Sequence, residues 1–147
     1  MLPTEVYHLL KKFKKRTFIY DWEYFSRRIH EELFRSVAEN TPLLYIEIPF
    51  AVVEHHLTDL EARGNFWKVF FEYIERQKRI CDICGVLSGD VGIAIVFLDI
   101  LPNCDIEMQN GFNRMCNSIY SKSFIDIRKW DEITGVIYPP NEFFKEK

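Results

Sequence analysis

An arginine and an aspartate stand three positions apart near the middle of the chain, at Arg79 and Asp82. The guanidinium of Arg79 can donate paired hydrogen bonds to a phosphate or to the O6/N7 edge of a guanine. The carboxylate of Asp82 can accept hydrogen bonds from the N1–H and amino groups of the same base. Arg76 lies one helical turn before Arg79 and can add a second positive charge. The competing interpretation is a surface ion pair near a helix end, which contributes about 0–1 kcal/mol.

Cysteine and histidine pairs are the residues that could bind a metal. Cys81 and Cys84 form a C-x-x-C motif, but the chain has no second C-x-x-C or H-x-x-x-H at the spacing of a zinc site. We therefore expect reduced thiols at a helix-to-strand junction. His55 and His56 are adjacent rather than four residues apart, so they do not face one metal from a helix. The sequence predicts a solvated or capping role for both histidines, and it predicts neither a metal nor a cofactor.

Composition and charge exclude several classes of function. The 147 residues fit one domain, and the formal net charge of −3 argues against a nucleic-acid binder, which neutralises phosphates with many Lys and Arg residues. No apolar run approaches the roughly 18 residues that span a bilayer, and no signal-peptide pattern is present. We expect a cytoplasmic protein without a membrane span. The chain also lacks a glycine-rich phosphate loop, a nucleophile elbow and an acid pair at catalytic spacing.

Hydrophobic periodicity predicts an alternation of helices and strands. An amphipathic helix is predicted at 2–15, and Asp21 can cap a second helix by bonding the backbone of Tyr24. The predicted buried stripe of that second helix is Trp22, Phe25, Ile29, Leu33 and Val37. The other predicted elements are a strand at 43–48, weak helix at 51–61, a helix after Gly64, strands near 83–88 and 92–98, a helix after Asp105 and a strand near 133–138.

A glycine-containing turn separates the two middle strands. It consists of Ser88, Gly89, Asp90, Val91 and Gly92, and its glycines supply the backbone freedom that a tight turn needs. The two strands should therefore pair as an antiparallel hairpin. The second of them is apolar throughout, which predicts a central strand buried on both faces. The order of elements indicates an α/β sandwich, with a central mixed and mostly antiparallel sheet flanked by helices.

This order of elements, together with several corner residues, resembles the GGDEF family, which has the nucleotidyl-cyclase-like fold. The resemblance covers about residues 17–140 and leaves 1–16 as a lead amphipathic helix, with 17–147 as the GGDEF-like domain. Its matching segments are Tyr24-Phe25-x-x-Arg28, Leu44 to Ile48, Gly64 to Val69, Ser88 to Gly92, Leu101 to Asp105 and Thr134 to Pro139.

Departures from the family pattern fall on the residues that catalysis needs. In active members two GTP molecules meet across a dimer, and acidic side chains hold the Mg²⁺ that serves phosphoryl transfer. Here Val91 stands at the acidic fourth position of the hairpin, and Gly92 stands at the aromatic fifth. On the first core strand Glu47 can replace one metal-binding acid, but Pro49 lies where a second acid is often found. The resemblance therefore implies a degenerate domain that is not an enzyme and has no catalytic residues.

One functional feature of the family is retained. With Ser88 aligned first, the R-x-x-D motif has the spacing of the family's product-binding inhibitory site. The resemblance then implies that Arg79 and Asp82, with Arg76 nearby, bind cyclic di-GMP. The signal would pass to a protein partner or a homodimer, a logic similar to that of the receptor subunit of the Pel exopolysaccharide system. If the hairpin is aligned from Gly89 instead, the motif is displaced by one residue.

Two other functions remain open from the sequence. The first is a ligand-independent interaction or dimerisation module, which the 16% aromatic content and the lead helix motivate. The second is a residual enzyme that acts on GTP. Three results distinguish the receptor, the interaction module and the enzyme. They are binding of cyclic di-GMP, an unchanged assembly state after substitution of Arg79 and Asp82, and formation of product from GTP, respectively.

Overall fold

Five strands form one sheet in the computed structural model of the chain, which describes residues 2–17, 19–39, 41–76, 82–98, 110–133 and 135–138. The strands are β1 (Ile19–Tyr20), β2 (Leu43–Pro49), β3 (Ile83–Val86), β4 (Gly92–Phe97) and β5 (Gly135–Tyr138). Their order across the sheet is β1-β3-β4-β2-β5. β1 pairs in parallel with β3, whereas the other three pairings are antiparallel. The predicted mixed, mostly antiparallel sheet flanked by helices is confirmed.

Helices cover both faces of this sheet. They are α1 (Thr4–Thr17), α2 (Trp22–Glu39), α3 (Phe50–His56), α4 (Leu60–Arg76) and α5 (Asn110–Ser123), with short 3₁₀ turns at Ser88–Asp90 and Ile127–Lys129. α4 packs against both α1 and α5. None of the helices in the described residues is long and apolar enough to cross a membrane.

Two hydrophobic clusters lie on opposite sides of the sheet, because successive side chains of a strand point to opposite faces. The larger cluster joins the β2 side chains Ile46 and Ile48 to α1, α3, α4 and α5, with Trp67 of α4 fully buried in it. The smaller cluster places Phe25 of α2 over strand residues such as Ala94. α1 contributes buried side chains to the larger cluster and therefore packs as part of the folded unit. The division of the chain into a lead helix at 1–16 and a domain at 17–147 stays a prediction.

The middle of the sheet agrees with the sequence analysis. β3 and β4 form the predicted antiparallel hairpin, and β4 lies between β3 and β2 with every residue buried. The predicted cap is also present, since the Tyr24 N–H donates to Asp21 Oδ1 at 3.0 Å. These elements depend on local signals, namely turn residues, a capping side chain and an unbroken apolar run.

The predicted buried stripe of α2 was wrong at both ends. Trp22 is 41% exposed and Val37 is 46% exposed. Glu32 and Ser36 are buried instead. Ser36 Oγ donates to the backbone oxygen of Thr41 at 2.6 Å, and Arg35 neutralises Glu32 at 2.7 Å. Because partners for these polar groups come from the loop and from neighbouring turns of α2, the helix can turn a partly polar face inward.

Two other differences concern element boundaries. α4 begins at Leu60 and contains Gly64, which was predicted to precede it. β1 was not predicted, because a strand of two residues carries no periodicity. The predicted loop at 101–105 and the helix start after Asp105 lie outside the described residues.

Candidate functional site

The signature turn joins β3 to β4 at one end of the sheet. The Leu87 N–H donates to the Gly92 oxygen at 2.9 Å, and the Asp90 N–H donates to the Leu87 oxygen at 3.0 Å. Gly89 has a φ of 73° and Asp90 a φ of 55°. Both values lie in the left-handed region, which glycine adopts freely and aspartate tolerates better than most residues. The turn therefore keeps the tight backbone that the motif predicts.

Gly92 holds this turn against the end of β2. It pairs with Pro49, and a Cβ at this position would lie 2.7 Å from the Ile48 oxygen and 2.9 Å from Pro49 Cα. The Phe50 N–H donates to the Val91 oxygen at 2.9 Å. Only glycine permits this close approach, so the hairpin and the start of α3 are fixed relative to each other.

Val91 occupies the fourth position of the turn and is 57% exposed. Its side chain has no oxygen, and its backbone oxygen already accepts the hydrogen bond from Phe50. Mg²⁺ requires several oxygen ligands in a near-octahedral arrangement. Within the turn the only carboxylate is that of Asp90, and the side chain at the fourth position offers no ligand atom.

Glu47, the other acid considered for a metal, lies elsewhere on the sheet. It pairs with Ala94, and directly opposite residues share a face, so Glu47 lies on the face that α2 covers. Tyr45 Oη donates to Glu47 Oε2 at 2.9 Å. Burial, followed by the hydrogen bond and the negative charge of Glu47, raises the pKa of Tyr45. Glu47 and Glu132 line a small hollow beside Val136 of β5.

Asp82, the acid of the R-x-x-D motif, lies at the opposite end of β3 from the turn. Asp82 directly precedes β3 and is 3% exposed, and its Oδ1 accepts a hydrogen bond from the Leu98 N–H at 3.4 Å. Arg76 is the last residue of α4 and is exposed. Arg79 lies outside the described residues. The closeness of Arg79 to Asp82, and the binding of a ligand by the two, stay predictions.

A cluster that sequence reasoning missed lies on the surface near the end of α3. His55, His56 and Glu132 each offer one ligand atom, and these atoms lie within 4.8 Å of one another. His56 Nε2 is 2.9 Å from Glu132 Oε2. The sequence analysis considered the histidines as an isolated pair, and no local pattern indicates that Glu132, 76 positions beyond His56, lies beside them.

Two of the four cysteines are described, and both are buried, Cys84 in β3 and Cys116 in α5. Cys81, the partner of Cys84 in the C-x-x-C motif, lies outside the described residues, as does Cys104. Burial, partly offset by the positive charge of Arg128, raises the pKa of Cys116 to about 12. The Cys116 thiol is therefore protonated and unreactive at neutral pH.

We expect the free energy of unfolding to fall as the pH rises above 9. The Cys116 thiol has an ordinary pKa of 9.0 and a pKa of about 12 in the folded protein, so the unfolded chain releases a proton that the folded protein retains. This contribution is fully present below pH 9 and is lost as the pH rises towards about 12. Urea denaturation at about pH 8 and about pH 10.5 measures the loss. Cys116→Ala should lose less stability over this interval than the unaltered protein, whereas equal losses would contradict the assignment.

Solved structures of GGDEF domains are similar to this fold. A fragment of Pseudomonas aeruginosa TpbB (YfiN) comprising only the GGDEF domain has a TM-score of 0.53 and 19% identity, covering 84% of this chain and 73% of that chain. The coiled coil and GGDEF domain of Caulobacter crescentus DgcB, solved in complex with c-di-GMP, has a TM-score of 0.51 and 10% identity, covering 90% and 75%.

A third similar structure is the diguanylate cyclase SiaD of Pseudomonas aeruginosa, solved in complex with its activator SiaC. Its TM-score is 0.50 at 13% identity, covering 90% of this chain but 53% of the SiaD chain, so the chain spans about half of that protein. No model of a known protein family matches the sequence, and no curated protein matches it. At these identities the likeness shows a GGDEF-like fold, as the sequence resemblance predicted.

Proposed function

We propose that this protein, which has a GGDEF-like fold, is a catalytically inactive signalling domain that binds cyclic di-GMP at its R-x-x-D motif. Binding would be relayed to a protein partner or to a second copy of the chain. The observation that carries the proposal is the exposed Val91 in a turn whose backbone is otherwise well formed. A scaffold that keeps the hairpin and lacks its metal ligand suits recognition better than phosphoryl transfer.

The loss of catalysis follows from the chemistry of the turn. Phosphoryl transfer depends on positioning and on stabilising the charge that develops on the phosphate oxygens. A valine at the turn supplies neither charge nor a metal ligand, and Glu47 is already bonded by Tyr45. GTP held near this turn would therefore lack the cation that neutralises its phosphates.

The binding half of the proposal rests on the placement of Asp82. Its carboxylate is anchored at the start of β3 by the Leu98 N–H, and a side chain held in one orientation loses less conformational entropy when it binds a base. The structure of DgcB was solved in complex with c-di-GMP, which makes this nucleotide the first ligand to test. Arg79 would bind a phosphate or the guanine edge, and Arg76 would add positive charge from the end of α4.

Relay to a partner requires that the ligand favour one conformation or assembly state over another, since a ligand that binds both states equally shifts neither. SiaD was solved in complex with a protein activator, a precedent for protein contacts by this fold. For this chain the partner is unidentified, and a homodimer is the simplest arrangement to examine first. Sedimentation velocity with and without cyclic di-GMP measures directly whether the ligand changes the fraction of homodimer.

Isothermal titration calorimetry with cyclic di-GMP should give saturable binding at micromolar ligand. Because a charged hydrogen bond is worth about 1.5–3 kcal/mol, Arg79→Ala should weaken this binding by roughly tenfold or more. The matched control is Arg27→Ala, which removes an exposed arginine of α2 that lies over the Tyr24 ring. The control should bind as the unaltered protein does. A folded protein that shows no heat of binding at high micromolar ligand would end the proposal.

Incubation with GTP and Mg²⁺ tests separately the proposal that the protein is catalytically inactive. We expect no cyclic di-GMP by chromatography. Product formation would refute the argument from Val91, even if cyclic di-GMP binds.

A ligand-independent interaction module is the alternative that one observation favours. Phe34 on α2 is 80% exposed and Phe124 after α5 is 81% exposed, so each presents an aromatic ring of the kind that is enriched at protein interfaces. If this alternative holds, Phe34→Ser or Phe124→Ser should change the assembly state. Arg79→Ala and Asp82→Ala should then leave assembly and partner affinity unchanged.

A further inference from the structure

We propose that His55, His56 and Glu132 form a binding site for a divalent transition-metal ion, with Zn²⁺ as the best-suited ion. The three side chains supply two imidazole nitrogens and one carboxylate oxygen within 4.8 Å of one another. Two histidines and one acid are a donor set that zinc accepts, with a fourth position left for water or another ligand. This site shares no residue with the R-x-x-D motif and does not depend on cyclic di-GMP.

The ring of His56 is held in place by its neighbours. It stacks on Trp130 with the ring centroids 4.7 Å apart and an interplanar angle of 3°. Trp130 is 8% exposed and packs against Phe66 of α4 at 5.6 Å. An imidazole fixed on a buried aromatic ring needs little reorganisation when its nitrogen binds a metal.

Glu132 is placed beside His56 by the turn that follows Trp130. The Ile133 N–H donates to the Trp130 oxygen at 3.1 Å, which closes the turn that contains Glu132. His56 Nε2 lies 3.1 Å from Glu132 Oε1 and 2.9 Å from Glu132 Oε2. The carboxylate therefore faces the imidazole nitrogen with both of its oxygens.

The distances suit a metal after small side-chain rotations. Tetrahedral zinc with bonds of roughly 2.0–2.1 Å places neighbouring ligand atoms about 3.3 Å apart. His56 Nε2 and Glu132 Oε2 are 2.9 Å apart, so an ion can replace the proton between them with a slight separation. His55 lies beside His56, with ring centroids 5.1 Å apart, and its ligand atom lies within 4.8 Å of the other two.

An exposed His–carboxylate ion pair is the simpler explanation for His56 and Glu132, and it is worth about 0–1 kcal/mol at such a surface. It does not require His55. The participation of His55 therefore distinguishes a metal site from an ion pair, and substitution of His55 tests it.

Calorimetric titration of the tag-free, reduced chain with Zn²⁺ should show one site. His55→Ala should raise its Kd by roughly tenfold or more, since even removal of a residue that only orients a ligand typically costs 10–100-fold. Glu132→Gln should do the same. The matched controls are His30→Ala on α2 and Asp131→Asn, which removes a charge from the same turn without removing a ligand. Both controls should leave the Kd unchanged.

Histidine side-chain NMR gives a second readout that does not depend on stability. Zn²⁺ should shift the imidazole signals of His55 and His56 and leave those of His8 and His30 in place. An unchanged Kd in His55→Ala would overturn the proposal. So would zinc binding that is lost in Cys81→Ser and kept in Glu132→Gln, because the ion would then be held by thiols. Absence of any zinc binding by the folded chain would overturn it as well.

Discussion

Gly85→Ala is expected to lower the free energy of unfolding by about 2–3 kcal/mol, the usual cost of inserting atoms into a packed core. A Cβ on Gly85 would overlap Cγ of Phe25 and would lie 2.6 Å from Cβ of Phe25. Because the clash includes the Cβ atom, rotation of the Phe25 ring cannot relieve it, and α2 itself must move away from β3. Phe25 is fully buried, so that movement disturbs the whole smaller cluster. Urea denaturation measures the loss.

A double-mutant cycle tests the cause of this loss. Phe25→Ala alone should cost about 3–5 kcal/mol, as deletion of a buried ring does. Gly85→Ala added to that variant should cost much less than it does alone, because the space is then open. The matched control is Gly64→Ala in α4, where an added Cβ meets nothing within 4 Å. It should stabilise the protein by about 0.5–1 kcal/mol. Equal effects at Gly85 and Gly64 would contradict the packing of α2 on β3.

Asp82→Asn is expected to weaken cyclic di-GMP binding by roughly 10- to 100-fold and to cost less stability than Asp82→Ala. The amide oxygen can still accept the hydrogen bond from the Leu98 N–H, so the end of the β3–β4 pair remains intact. The lost charge affects the contact with the guanine, because hydrogen bonds to a charged acceptor are worth about 1.5–3 kcal/mol. Calorimetry and urea denaturation on the same preparation measure both quantities.

Two further variants distinguish a ligand contact of Asp82 from a purely structural role. Asp82→Ala should lose both affinity and stability, because the Leu98 N–H then loses its acceptor. Asp90→Asn, in the turn at the far end of β3, should bind cyclic di-GMP as before. If Asp82→Asn binds with unchanged affinity, Asp82 is a structural residue only, and the ligand contacts must be sought elsewhere.

The elements with strong local signals were predictable from the sequence. The Asp21 cap, the glycine turn and the apolar run of β4 each act over a few residues, so neighbours in the chain decide them. The face of α2 was less predictable. Burial of Ser36 depends on backbone oxygens of Thr41 and Tyr138, and the second of these lies 102 positions along the chain.

At Val91 and Asp82 the residue types were likewise predictable from the sequence, whereas their exposure and contacts were not. The aliphatic side chain at Val91 could be predicted to lack a metal-binding oxygen from the sequence alone, because that is a matter of residue type at one position. The exposure of Val91 and the anchoring of Asp82 by Leu98 required the structure, since both depend on how β3 and β4 pair.

The sequence by itself determined the types of the longer elements, the hairpin and the chemical identity of the residues that a ligand could meet, because periodicity and side-chain chemistry are local properties. Only the tertiary structure decided that Gly85 lies under Phe25 and that Glu132 lies beside His55 and His56. Those contacts join residues 60 or more positions apart through packing of helices on the sheet. No pattern of neighbouring residues encodes such a contact, since it arises when separate elements bury their apolar faces together.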